Sequence, residues 1–229
     1  MTRRTLGFSL IEMAFVLVIV TLLLGGLLVP FATQVEQKRI AETNKAMEEI
    51  KEALLGYAIA NKRLPCPDTN NDGKEDACSD SSLTSSGGNL PWVTLGTANA
   101  DAWGRPFQYR VNGAFTSGTS FFSLATKGTS SGSSNGILQV CTNHNCDALL
   151  ADNIPAVIYS SGKNGSVQPP VSADELENTT VSSNIKFDRT FVSRIITDPG
   201  APVGEFDDLV TWISPNVLFN RMVAAGKLP

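Results

Sequence analysis

Two hydrophobic rhythms divide this chain. From Ala14 to Ala32 no residue carries a charge, and the run is apolar on every side. A run of that length spans a bilayer core, so residues 13–32 read as a membrane segment. Gly25, Gly26 and Pro30 interrupt it, which membrane helices tolerate. From Thr33 the chain turns polar but keeps a helical rhythm. Ala46, Met47, Ile50, Ala53, Leu54, Tyr57 and Ala58 form one apolar stripe, and Glu48, Glu49, Lys51 and Glu52 cover the opposite side. The spacing predicts a single helix from near Ser9 to about Lys62, ending before Leu64-Pro65 because a residue preceding proline avoids helical geometry. Its first half has no polar face, and its second half must pack on something.

Beyond Pro65 the rhythm shortens to strands and turns. Strands are predicted at Phe107–Val111, Ser120–Ala125, Gly136–Cys141, Ala156–Ser160, Thr190–Ile196 and Asp208–Ile213. Connections rich in Gly, Ser, Asn and Pro fall at Ser79–Asn89, Lys127–Asn135 and Ser161–Asp174. A short terminal helix is signalled by Ser214 as N-cap, Pro215 in the first turn and Gly226 beyond the end. A long helix followed by an antiparallel sheet is an α+β plan.

Charge and cysteines set the compartment. The 229 residues carry a formal charge of −4, and Arg3 and Arg4 are the only basic pair ahead of the apolar run. Their position puts the N-terminus in the cytoplasm and the bulk of the chain outside. No Lys/Arg run exists beyond them, so no nucleic-acid partner is expected. Cys66, Cys78, Cys141 and Cys146 suit an oxidising compartment. Three pairings are possible, and free thiols are the alternative. Pairing 66–78 and 141–146 closes two short loops and is preferred. A Cys-x4-Cys with no second pair at metal-ligand spacing and a single histidine argue against a zinc site.

The boundary before the apolar run has an unusual form. Met1-Thr-Arg-Arg-Thr-Leu-Gly7 is polar, the switch falls right after Gly7, and a carboxylate, Glu12, sits at the edge of the apolar stretch. A secretory signal is cut after its apolar run, behind small residues, and no such site follows here. Gly7-Phe8-Ser-Leu-Ile-Glu12 followed by about twenty apolar residues resembles the leader of type IV prepilins and type II secretion pseudopilins. That resemblance implies a leader at 1–7, an assembly helix at 8–62 and a β-rich globular region at 63–229. It implies cutting between Gly7 and Phe8 by a prepilin peptidase and methylation of the Phe8 amine. It also implies a bacterial inner-membrane precursor that later packs with other subunits in a helical filament. Glu12 is then the residue that pairs with the Phe8 amine of a neighbouring subunit; alternatively it lies in the headgroup region. Further along, Asp101-Ala-Trp103-Gly104-Arg-Pro106-Phe107-Gln-Tyr109 resembles the Asp-x-Trp-Gly-x-Pro segment that opens the sheet in the major pseudopilin. Ala156–Ser160 with the Gly-Lys-Asn-Gly turn resembles a pseudopilin sheet edge.

Other constellations bear on chemistry. Asp68, Asn70, Asp72, Gly73 and Asp76 give D-x-N-x-D-G-x-x-D, the alternation of oxygen ligands that wraps a Ca²⁺ ion, and this stretch resembles a thrombospondin type 3 repeat. The twelfth position is Ser79 rather than Glu. A structural Ca²⁺ and a plain Asx-rich turn remain the two readings. Gly128-Thr-Ser130-Ser-Gly132 spells a nucleophile elbow but is followed by a flexible turn, and His144 is the sole histidine. Gly162-Lys163 lacks the first glycine of a phosphate loop. No catalytic residue and no cofactor beyond the candidate Ca²⁺ are expected. The reading is a minor pilin or pseudopilin. The alternatives are a membrane-tethered pilin-like binding module with the Cys141–Cys146 region at its tip, and an envelope-anchored enzyme.

Overall fold

The computed structural model describes residues 9–77, 87–116, 138–165, 172–179 and 190–228, with the side chains of 24–31 left aside. The chain divides into two compact units, Met1–Ala41 and Glu42–Pro229. One helix, α1 (Leu10–Asn61), runs through both. It starts where expected because Ser9 and Glu12 form a capping box. It stops at Asn61 because Lys62 takes a left-handed φ of 57° ahead of Leu64-Pro65.

In the second unit the apolar stripe of α1 is the buried face. Met47, Ile50, Leu54 and Ala58 are buried as the spacing requires, and Thr43 and Leu55 join them. Burying each such aliphatic side chain contributes roughly 1.5–3 kcal/mol. Thr43 is the polar member, and its hydroxyl accepts the Ala102 amide at 3.1 Å.

The remaining elements are β1 (Gly88–Asn89), α2 (Trp92–Leu95), β2 (Gln108–Val111), β3 (Leu138–Cys141), β4 (Leu149–Ile154), β5 (Ala156–Ser160), α3 (Ala173–Asn178), β6 (Thr190–Val192), β7 (Leu209–Ile213) and α4 (Pro215–Ala224). Four strands make a fully antiparallel sheet in the order β1-β2-β5-β7, with Tyr109 opposite Ile158 and Ile158 opposite Thr211. The other three make a sheet in the order β4-β3-β6, in which β3 and β6 run parallel. Leu138, Val140, Ile154, Val157, Tyr159 and Phe191 form a core that joins the two sheets, with the rings of Tyr159 and Phe191 5.6 Å apart. Phe115 and Phe219 meet at 6.2 Å beside the other end of the core, where α4 buries Leu218, Phe219 and Met222.

The α+β plan with an N-terminal helix on an antiparallel sheet is what the pattern implied, with four corrections. There are two sheets, not one, and the second holds a parallel pair. β5 lies between β2 and β7 with every residue buried, so Ala156–Ser160 is a central strand and not a sheet edge. β6 stops at Val192, where Arg194 leaves the ladder to bond Asp174 and Thr197. β4 was absent from the pattern because Asp152, Asn153 and the following Pro155 read as a turn; Asn153 takes a φ of 52° within the strand. The Ser120–Ala125 strand lies outside the described residues.

Candidate functional site

The N-terminal candidate is built on one helical turn. Ser9 Oγ accepts the Glu12 amide at 3.3 Å, and Glu12 Oε2 accepts the Ser9 amide at 3.0 Å. This reciprocal pair satisfies two of the donors that every helix start leaves open. The chain's own backbone thus occupies the Glu12 carboxylate. The pattern S-x-x-E was present in Ser9-Leu-Ile-Glu12 and is the signal that marks this arrangement. Gly7 and Phe8 lie outside the described residues. Leu10, Ile11, Phe15, Leu17, Ile19, Leu22 and Leu23 are all exposed in the chain by itself. Among the described residues, which omit the side chains of 24–31, no helix is long and apolar enough to cross a membrane.

The Asp101 segment is a polar clamp. Asp101 is buried, and its Oδ1 accepts the amides of Trp103 and Arg105, both at 2.9 Å. Its Oδ2 accepts the Ser160 hydroxyl at 2.6 Å, at the end of β5. Gly104 supplies the positive φ of 83° that this tight loop requires. Together with the Thr43–Ala102 bond, the loop ties α1 to the central strand. Asp101 is thus a structural residue, and Asp-x-Trp-Gly-x-Pro is a recipe for that loop.

The Asp68–Asp76 loop is satisfied from within. Asp68 is buried; its Oδ1 accepts from Asn70 and Asn71 and its Oδ2 from Gly73 at 2.8 Å. Asn70 accepts the Asp72 amide at 2.9 Å, and Asp72 accepts the Lys74 amide at 2.8 Å. The Thr69 hydroxyl and amide both bond Asp76 and hold its carboxyl below its ordinary value. Among the described residues the carboxylates do not gather into a group that could hold a metal ion. The loop is anchored by Glu75, whose carboxylate takes a two-pronged pair from Arg63 at 2.8 and 2.9 Å and the Tyr57 hydroxyl at 2.6 Å. Burial pushes the Glu75 carboxyl up, but Arg63 and Tyr57 more than offset that and leave it low.

A family model for type II secretion system protein G matches residues 31–139. The match spans the second half of α1, the acidic loop and the Asp101 clamp. Over those residues the chain is similar to the pseudopilins of type II secretion. Because the match begins at residue 31, it is independent of the leader motif. No curated protein and no solved structure matches the chain.

Beyond the matched residues the chain is held by a disulfide. Cys141 and Cys146 are bonded, as the short-loop pairing expected. Cys66 is also disulfide-bonded, while Cys78 lies outside the described residues. The 141–146 loop presents His144 to Asp174, the ring Nδ1 lying 2.8 Å from Oδ1 and the His144 amide donating to the same oxygen at 2.9 Å. Arg194 Nε donates to the other Asp174 oxygen at 2.7 Å, and its guanidinium sits 4.6 Å from the Phe206 ring centre. Burial raises the Asp174 carboxyl, but His144 and Arg194 hold it below its ordinary value. No sequence signal pointed to Asp174, because its partners lie 30 and 20 residues away. Gly162–Gly165 forms the expected tight turn after β5, and the Asn164 amide binds the Asp207 carboxylate at 2.8 Å. A turn that already holds a carboxylate is not a nucleotide site. Gly128–Gly132 lies outside the described residues.

Proposed function

We propose that this protein is a minor pilin or pseudopilin that enters a filament through the first half of α1. Residues 1–7 are a leader cut by a prepilin peptidase between Gly7 and Phe8, and the new Phe8 amine is methylated. Residues 13–32 hold the precursor in the bacterial inner membrane, with the second unit outside. In the lone chain Glu12 bonds the Ser9 amide; in the filament it accepts the Phe8 amine of a neighbour. A carboxylate in apolar surroundings is strongly penalised when unpaired, so one axial offset is favoured over the others. The protein is thus a substrate of the peptidase, and its own role is structural.

The observation that supports this most is the junction of two independent signals. The leader resemblance covers residues 1 to about 32, and the protein G match begins at residue 31. Mass spectrometry of the N-terminal peptide is the test. A methylated N-terminus at Phe8 is expected, and a mature chain starting beyond residue 30 ends the filament reading. Changing Gly7 to a bulky residue should leave the precursor uncut.

We read the Asp68–Asp76 loop as a turn braced by Arg63 and Glu75, with a structural Ca²⁺ as the competing reading. The hydrogen bonds from its own amides support the turn. Millimolar Ca²⁺ is expected to leave the melting temperature of the outer unit unchanged. A rise of several degrees, lost on changing Asp72 to Ala, would make Asp68, Asn70, Asp72 and Asp76 ion ligands instead.

A further inference from the structure

The helix α3 is six residues long, far too short to be stable alone. It buries Asp174, Glu175 and Asn178 and leaves Leu176 exposed, so polar side chains rather than an apolar face hold it. Asn178 clamps Val192 of β6 in both directions, donating to its carbonyl at 3.0 Å and accepting its amide at 2.7 Å. The same amide group donates to Asp208 Oδ2 at 2.9 Å. Glu175 Oε1 accepts from Asn164 Nδ2 at 3.0 Å and from the Asp207 amide at 3.2 Å.

The remaining oxygens are in a different position. Glu175 Oε2 and Asp207 Oδ1 are buried without a hydrogen-bond partner among the described residues. Glu175 is 2% exposed and Asp208 6%. Glu175 and Asp207 both act on Asp208, Glu175 and Glu205 both act on Asp207, and Arg105 is the cation that faces Asp208. At the other end of α3, His144 and Arg194 face Asp174. Buried like charges with unfilled oxygens are costly when all are ionised, and a bound proton relieves both costs.

We propose that α3 is a proton-closed latch: protons held by Asp207 and Asp208, beside the buried Glu175, keep it docked across β6 and the start of β7, and their loss releases it. The direction follows from the two aspartates. Burial pushes Asp208 up to about 8 and Asp207 up to about 6, and their acidic neighbours add to this. The folded state therefore binds protons that the unfolded chain does not. Their contribution is full below the ordinary carboxyl range of about 4 and is lost as pH rises through about 6 and then about 8. Asp174 runs oppositely: its bonds are present above its ordinary value and are lost only in stronger acid. Opening on the alkaline side thus belongs to the Asp207–Asp208 end.

Hydrogen exchange read by mass spectrometry tests this on the full chain in detergent, with a chelator present so that no divalent cation replaces the protons. After correction for intrinsic exchange, amides of 173–179 are expected to lose roughly tenfold or more in protection between pH 6.0 and 8.5. Amides of 47–58 in α1 should hold steady. Asp208→Asn keeps an acceptor for Asn178 without a charge, and its α3 should stay protected at both pH values. Equal protection of wild-type α3 at the two pH values overturns the latch, and so does an Asp208→Asn variant that opens as wild type does. Should Asp208→Asn fail to fold, Asp207→Asn serves instead and must shrink the change.

Discussion

The two halves of α1 are one element by backbone and two by environment. Between Leu10 and Leu23 large apolar side chains are exposed on every side; Leu17 is 61% exposed. Between Thr43 and Ala58 a single stripe is buried, and Ile50 is fully so. The charged face there carries ordinary surface pairs, such as Lys51 with Glu48 at 2.9 Å and Arg221 with Glu52 at 3.5 Å. Exposed pairs of this sort contribute little. A stripe finds its partner within the same chain. Among the described residues an all-round apolar surface finds none there, and in the proposed function lipid or other subunits supply its burial. Helix continuity therefore says nothing about shared energetics, and the two halves should fail in different ways.

A graded series of substitutions sharpens that contrast. Leu54→Ala should cost the outer unit about 2–5 kcal/mol, since it opens a cavity under a fully buried side chain. Ser9→Ala removes a cap worth about 1 kcal/mol, and its effect should stay within the first turn of α1. Leu17→Ala should leave the melting of the outer unit unchanged. Thermal melts of the full chain in detergent, with hydrogen exchange for the first turn, give all three. If Leu17→Ala lowers the transition as much as Leu54→Ala, the halves are not separate.

Local physics wrote the legible parts of this fold. The span of α1, its cap, its stripe and its stop before Pro65 each follow from residues within a few positions. The same is true of β2, β5, β7 and α4, and of the Asp101 clamp, whose turn residues lie side by side. What could not be read depends on distant partners. β4 has weak strand composition and forms because the Cys141–Cys146 loop folds it back on β3. α3 sits in a stretch rich in Ser, Pro and Asn, and it exists because Asp174, Glu175 and Asn178 find partners 11 to 32 residues away. The acidic loop shows the converse. Its spacing drew attention as a metal motif, yet its oxygens bond its own amides, while the stressed carboxylates are Glu175 and Asp207, which no motif marked.

The central claim is that the first half of α1 acts between subunits and the second half within one. Glu12→Val tests it most directly. The variant is expressed with wild-type partners, and its share of the sheared-filament fraction is compared with its share of the membrane fraction. Cleavage and the melting of the outer unit should match wild type, because among the described residues Glu12 bonds within its own first turn, to Ser9. Incorporation into filaments should fall sharply. Incorporation equal to wild type, with cleavage intact, would contradict the claim and leave Glu12 as a helix cap alone.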